Sequence, residues 1–361
     1  MRVGVVGLGW ATRSFHVPAL QQVSEVTIVG GCDPSSEQRD SWQQATGTAA
    51  FGDLDQLLEH ARPDLIIVAT PPDSHAELCL RALAGGAHVF CEKPFVSTVV
   101  DADEVLAAAA KAQRFIAVNH EFREKPIFRA LRDAIQSGRH GRLVFCQIWQ
   151  LMDLAPWDEP VPWRAAMPNR TLFEGGVHLV DLLVTLFGEL PEAVYARSSS
   201  GVESGRDADA IHLVLFEFSG GRLAQLTINR LYRGGTRYVE VRADCERASL
   251  RASHGGRAVL QVGIKRAERP GLRVDFGAKG LAWIERGLSR KTIARNPRDE
   301  GVYGTAALLR QIVAAIEAGR EPPSSGREAR DVLAVIEAAY RSSATGVRVE
   351  VGAVSPASVG V

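Results

Sequence analysis

The sequence predicts an α/β half built on a parallel sheet, followed by an α+β half built on an antiparallel sheet. Three observations carry this. In the first third of the chain, short apolar runs rich in Val and Ile alternate with amphipathic stretches, the pattern of strands covered by helices on both faces. After residue 119 the strand-like runs follow one another with few helical stretches between them. The chain, with 361 residues of which 46% are hydrophobic and 23% charged, is long enough for two cores.

In the first half, strands are expected over residues 3–6, 26–32, 65–69, 89–91 and 115–119, each apolar and mostly β-branched. Helices are expected over 16–23, 36–45, 54–61, 75–84 and 101–112. Pro63-Asp64 leads into one strand, and Gly85-Gly86 ends a helix. The second half opens with a helix over 126–137 that stops at Gly138. Strands follow over 143–151, 193–197, 210–219, 222–229, 238–243, 248–252 and 258–264, interrupted by one helix over 175–187. Ser219-Gly220-Gly221 and His254-Gly255-Gly256 mark hairpins. Helices over 305–318 and 326–343 close the chain. The Arg- and Lys-rich stretch 266–298 reads as a solvated loop in preference to a phosphate-taking rim. The expected domains are therefore 1–120 and 121–351, with 352–361 a frayed tail.

Charge excludes some functions. The 42 Lys and Arg balance 42 Asp and Glu, so no long-range field steers the protein to nucleic acid or an anionic membrane. No apolar run reaches the roughly 18 residues needed to span a bilayer. Met1-Arg2 leads straight into a strand without signal-peptide features, so a cytoplasmic protein is expected. Cys32, Cys79, Cys91, Cys146 and Cys245 stand singly, an odd number without CxxC spacing. That argues against a disulfide framework and against zinc, and no metal is expected.

Gly7-Leu8-Gly9-Trp10-Ala11-Thr12 follows the first strand and precedes a helix. Gly7 permits a tight turn, and Gly9 lets backbone approach a pyrophosphate at the helix N-terminus. Thr12 stands where the fingerprint has its third glycine or alanine. Asp33 ends the second strand, where a carboxylate can accept from both ribose hydroxyls and repels a 2′-phosphate. NAD is the expected cofactor and NADP the alternative, because Pro34-Ser35-Ser36 offers no arginine and Arg39 comes a turn later. Asp33 also suits a turn cap before Pro34. Thr70-Pro71-Pro72-Asp73-Ser74-His75 follows the strand at 65–69, at the edge where open α/β sheets bind ligands. There His75 reads as a structural hydrogen-bonder of the next helix. Cys91-Glu92-Lys93-Pro94 ends the following strand on the same edge. Lys93 would reach a substrate hydroxyl and stabilise its developing alkoxide character, although the tripeptide alone also fits a charged surface turn.

In this order and spacing, Gly7-x-Gly9, Asp33, Ala69-Thr70-Pro71-Pro72 with His75, and Glu92-Lys93-Pro94 resemble the glucose–fructose oxidoreductase / inositol dehydrogenase / MocA family. The likeness continues through Asn119-His120-Glu121-Phe122-Arg123, Gly175-Gly176-x-His178-x-x-Asp181-Leu182 and the closing segments 315–323 and 326–351. It implies a Rossmann domain that holds the dinucleotide through Gly7, Gly9, Trp10, Ala11, Thr12, Asp33, Thr70, Pro71, Pro72, His75, Glu92, Lys93 and Asn119. It also implies an open-faced antiparallel sheet in the second domain. Lys93 matches the family's active-site lysine, Glu92 the contact to the nicotinamide-side ribose, and His178 the general acid/base. A cis Lys93–Pro94 bond is a frequent family feature.

By spacing, Glu174, His178 and Asp181 share one helical face, and Gly175-Gly176 removes bulk beside them, suiting close approach of a cofactor ring or another backbone. An ordinary imidazole pKa near 6.5 suits proton exchange with an alcohol. Where inositol dehydrogenases of this family have Asp, this chain has Glu174, so its role stays open between orienting His178 and meeting a substrate hydroxyl. Asp181 reads as a structural partner. The blander reading of a lone helical His is a satisfied core residue. A metal on this face is the minor reading, lacking a Cys cluster or third His.

Trp149, Trp157 and Trp163-Arg164 offer aromatic walls and a guanidinium, suited to a sugar or polyol; core packing or an oligomer interface explains the tryptophans equally well. The expected substrate-binding set is Lys93, Trp163, Arg164, Glu174 and His178. An open sheet face needs cover, so a homodimer or homotetramer through the second-domain sheet is expected. The expected activity is NAD(P)-dependent hydride transfer at a hydroxyl or keto carbon of a sugar, inositol or related polyol. The alternatives are an NAD-dependent glycoside hydrolase on the same scaffold and a non-catalytic dinucleotide-binding regulator.

Overall fold

A computed structural model describes residues 1–153, 162–165, 167, 169–200, 209–233, 238–255, 257–262, 272–277 and 280–352. The chain forms two compact units, each assembled from three segments. The first takes Met1–Lys125, Val180–Val184 and Asp299–Glu337; the second takes Pro126–Leu179, Thr185–Arg298 and Ala338–Val361.

In the first unit, β1 (Arg2–Val6), β2 (Thr27–Cys32), β3 (Ala50–Phe51), β4 (Leu65–Val68), β5 (His88–Cys91) and β6 (Ile116–Val118) form a parallel sheet. Its order is β3-β2-β1-β4-β5-β6, so the chain reverses its progress between β1 and β4. Ligands bind outside the strand ends at such a switch point. All four residues of β4 are buried, as strands covered on both faces require. Polar side chains fix where the helices start. Ser35 caps the helix Ser36–Thr46, Asp53 caps Leu54–Ala61, and Thr98 with Asp101 forms a capping box on Val99–Ala112. The helix expected over 16–23 begins earlier and irregularly, as a π-helical stretch Thr12–His16 running into Val17–Leu20.

Distant sequence completes this unit. The helix Glu300–Glu317 places Val302, Ala306, Leu309, Ile312 and Val313 in one core with Val3, Val5, Leu20 and Phe90. Ser324 covers the edge strand β6: its carbonyl accepts from Val118 N at 2.8 Å, and its hydroxyl donates to the Val118 carbonyl at 2.7 Å.

The second unit contains β7 (Leu143–Leu151), β8 (Ala193–Ser199), β9 (Ile211–Phe218), β10 (Arg222–Asn229), β11 (Tyr238–Cys245), β12 (Ala248–Gly255), β13 (Arg257–Val262), β14 (Leu272–Gly277), β15 (Leu281–Arg286), β16 (Ser289–Arg295) and β17 (Val349–Glu350). Nine of them form one sheet in the order β16-β15-β12-β11-β7-β10-β9-β8-β17, and β13 pairs with β14 separately. Pairing is antiparallel except at the centre, where β7 and β10 run parallel. Burial alternates along β9 and β10, leaving Leu213, Leu215 and Leu223 exposed on the other face.

The basic stretch 266–298 is corrected by the fold. Part of it forms β14, β15 and β16: the apolar run 281–284 pairs with β12, and β16 pairs onto β15. On the edge strand β16 the charges discourage pairing with another chain. Residues 266–271, Trp157 and residues 353–361 of the expected frayed tail lie outside the described residues. Among the described residues, no helix is long and apolar enough to cross a membrane.

Candidate cofactor and substrate sites

The glycine turn between β1 and the π-helical stretch is shaped by three residues. Gly7 has φ +85°, and a Cβ there would stand 2.7 Å from the Ala69 carbonyl oxygen and 2.8 Å from Thr70 Cγ2. Only glycine fits. A Cβ at Gly9 would meet nothing within 4 Å, so the backbone there faces open space that a pyrophosphate can enter. Thr12 is fully buried, and its hydroxyl donates to the Gly7 carbonyl at 2.5 Å. Trp10 is 40% exposed and sets its ring edge-on to Phe15, beside Ala11.

Asp33, just past β2, accepts from Leu8 N at 2.9 Å through one carboxylate oxygen and from Ser35 N at 2.9 Å through the other. Each oxygen keeps a further lone pair for a ribose hydroxyl. The turn-capping role and the ribose role are thus compatible. Arg39 is tied down by Nη1, which donates at 2.8 Å to the carbonyls of both Asp33 and Pro34.

Past β4, Thr70 Oγ1 and Ser74 Oγ lie 2.7 Å apart, Ser74 Oγ donates to the Pro71 carbonyl at 2.8 Å, and Pro72 is buried. His75 is fully buried. Its Nδ1 lies 2.9 Å from the Pro94 carbonyl and its Nε2 2.9 Å from that of Thr70, strapping the loop after β4 to the loop after β5. The Lys93–Pro94 bond in that second loop is cis. The resemblance places Thr12 and His75 in the dinucleotide-contact set. In the fold both side chains lie inside the wall and face backbone carbonyls, so what they do is hold the loops.

Glu92 is the centre of the next cluster. One carboxylate oxygen lies 2.8 Å from His16 Nε2 and accepts from Asn119 Nδ2 at 2.7 Å; the other accepts from Lys93 N at 3.1 Å. Burial pushes its pKa up, but the hydrogen bond and field of His16, the Asn119 amide and the Lys93 charge outweigh this and bring it down to about 2. The carboxylate is ionised at neutral pH. Asn119 also reaches Thr305 Oγ1 at 3.4 Å. His16 and Thr305 escape a reading of the sequence, since nothing local ties either to a residue 76 or 186 positions away.

Asp181 also lies in this unit. Arg123 holds it with two hydrogen bonds, Nε at 2.7 Å and Nη2 at 2.5 Å, and also pairs with Glu328. Burial pushes the Arg123 pKa down, yet the Asp181 carboxylate more than reverses this, so the guanidinium stays charged. His120 Nδ1 lies 3.8 Å from Asp181, and burial pulls the His120 pKa below its ordinary value against that attraction.

In the second unit, a π-helical stretch Arg170–Gly175 leads through Gly176 into the helix Val177–Phe187. The glycine pair makes room for protein groups. A Cβ on Gly175 would stand 1.6 Å from Arg230 Nη2, and one on Gly176 would stand 2.7 Å from the Leu172 carbonyl and 2.8 Å from Ile228 Cδ1. Glu174 pairs with Arg164 at 3.2 Å, both largely buried, and Arg164 lies 5.5 Å from the Trp163 ring centroid. Trp163, Arg164 and Glu174 thus come together, and His178 is buried in the first turn of the helix. The expectation of one continuous helical face is corrected. The π-helical turns and Gly176 interrupt the 3.6-residue period, so Glu174 meets Arg164 while Asp181 meets Arg123.

A buried knot, missed in the sequence, anchors the π-helical stretch. Asp209 accepts from Thr171 N at 3.1 Å, lies 3.2 Å from His212 Nε2 and 2.8 Å from the Tyr340 hydroxyl. That hydroxyl accepts from Phe173 N at 3.2 Å. Two helix-initial N–H groups are satisfied by residues far along the chain.

Two family models match this chain. One, described as an oxidoreductase family with an NAD-binding Rossmann fold, covers residues 1–120, and the GFO/IDH/MocA C-terminal domain covers 128–251. D-apiose dehydrogenase of Paraburkholderia graminis is 27% identical over 96% of this chain and 88% of its own length. The scyllo-inositol 2-dehydrogenase (NADP(+)) of Bacillus subtilis is 26% identical over 95% of this chain and 94% of its own. An Agrobacterium radiobacter oxidoreductase, solved with NAD+, L-tartaric acid and magnesium, shares the fold with a TM-score of 0.83 at 18% identity, over 98% of this chain and 99% of its own. With a dinucleotide turn, an ionised Glu92 beside Lys93 and both family models matched, the chain belongs to the GFO/IDH/MocA family of NAD(P)-dependent oxidoreductases.

Proposed function

We propose that this protein transfers a hydride between nicotinamide and a hydroxyl- or keto-bearing carbon of a sugar, inositol or related polyol. The observation that carries the reading is Lys93, which follows an ionised, four-square-held Glu92 at the carboxyl edge of the parallel sheet. The names of the apiose and inositol dehydrogenases support the substrate class.

Residues 1–120 carry the cofactor in this reading, and 121–351 the substrate. Gly7 and Gly9 give the pyrophosphate its approach, Asp33 takes the ribose hydroxyls and so favours NAD, and Glu92 and Asn119 hold the nicotinamide end. Nicotinamide held there would supply the hydride acceptor or donor for the carbinol carbon. Lys93 donates to the reacting oxygen and stabilises its negative charge. His178 takes or returns the hydroxyl proton. Glu174 with Arg164 and Trp163 orients neighbouring hydroxyls, the carboxylate accepting and the guanidinium donating. A homodimer or homotetramer covers the exposed face around Leu213, Leu215 and Leu223 in the cytoplasm.

The test is NADH appearance across a panel of sugars, inositols and their phosphates. Wild type should turn over at least one polyol, with kcat falling about 10²- to 10⁴-fold in His178→Ala. Dinucleotide binding without turnover of any member, or activity indifferent to both Lys93→Ala and His178→Ala, would sink the reading.

A further inference from the structure

Glu92 is held in an unusual way for a mostly buried carboxylate. Its side chain is only 15% exposed. The Asn119 amide and the Lys93 backbone N–H are neutral donors. His16 Nε2 lies 2.8 Å from the same carboxylate oxygen that Asn119 reaches. The neutral amide and backbone donors solvate the Glu92 charge without cancelling it.

The sheet says where that charge acts. Asp33 follows β2 and Glu92 follows β5, three strand intervals apart in the order β2-β1-β4-β5, or about 14 Å. A dinucleotide lying along this edge with one ribose at Asp33 brings its other end to Glu92. The two oxidation states of that end differ by one unit of charge, NAD+ carrying a cationic ring and NADH a neutral one. A fixed anion favours the first; a fixed cation favours the second.

We infer that Glu92 and Lys93 are opposed electrostatic levers on the oxidation state of the bound nicotinamide, with Glu92 favouring NAD+ and Lys93 favouring NADH. This rests on the cofactor placement proposed above, and deepens it by assigning the adjacent pair a role in the redox balance as well as in contact. His16 and Asn119 are positioning residues for the Glu92 lever.

The test needs no substrate. Dissociation constants of NADH, by fluorescence titration, and of NAD+, by competition against it, are measured for wild type and variants. Glu92→Gln should raise the ratio Kd(NAD+)/Kd(NADH) about tenfold, equivalent to roughly 30 mV in the potential of the bound couple. Lys93→Met, at a half-buried side chain, should move the ratio the opposite way. It stands as the independent arm if Glu92→Gln does not fold. A ratio unchanged within twofold in Lys93→Met, or a shift of the same sign in both variants, overturns the inference while leaving the hydride-transfer reading intact. Failure of the wild type to bind either nucleotide overturns both.

Discussion

The Thr12 hydroxyl donates to the Gly7 carbonyl at 2.5 Å, closing the glycine turn from within. In the fingerprint, a glycine or alanine at this position allows close helix–strand packing. Here the larger side chain is accommodated by π-helical widening at Thr12–His16, and its hydroxyl satisfies a carbonyl that would otherwise be left in a buried turn. Thr12→Val keeps the shape and removes the donor. It should cost about 1–2 kcal/mol and weaken NADH binding several-fold, whereas Thr12→Ser should behave as wild type. Denaturant melts and fluorescence titration decide it; equal behaviour of Val and Ser at position 12 would refute the role.

Glu92 makes stability depend on pH in a definite window. Its folded pKa of about 2 lies below the ordinary 4.5, so its contribution is fully present above pH 4.5 and is lost as pH falls toward 2. Between pH 6 and pH 3 the stability difference between wild type and Glu92→Gln should therefore shrink by about 2 kcal/mol. Urea melts at pH 6, 4 and 3 measure it. A difference that stays constant would show that the carboxylate gains nothing from its donors.

Arg123 and Asp181 form a buried pair whose members are not separately dispensable. Removing one leaves the other charged and buried, which costs about 3–5 kcal/mol. Arg123→Met and Asp181→Leu should each destabilise by that amount, and the double variant by less than their sum. Thermal unfolding of the four proteins provides the cycle. Strict additivity would mean that the ion pair is not what the two residues share.

Glu174 reaches Arg164 because its side chain is one methylene longer than aspartate. Glu174→Asp should break that 3.2 Å contact and lower kcat/KM on any polyol substrate about tenfold, leaving the NADH dissociation constant unchanged. Steady-state kinetics beside NADH titration separate the two. A variant with wild-type kcat/KM would remove Glu174 from the substrate site.

Much of the molecule is written locally. Val- and Ile-rich runs alternating with amphipathic stretches determine a covered parallel sheet. Gly7, Asp33 and Glu92-Lys93 fall just past strand ends because strand, turn and helix signals are contiguous in the chain. The same holds for the glycine pair before His178. What local patterns misread is instructive: β16 is charged and, along most of its length, exposed, with no alternation to mark it as a strand, and the stretch around it reads as loop.

The partners were decided only by the tertiary structure. Glu92 finds His16, Asn119 reaches Thr305, Asp181 meets Arg123, and Asp209 joins Tyr340 to the π-helical stretch before Gly176. Each joins residues 58 to 186 positions apart. No periodicity encodes such pairs, because they form only after burial removes water and leaves each polar group needing the one partner within reach. The sequence by itself determined which chemical groups stand at the strand ends. The packed fold decided their charge and which of them touch.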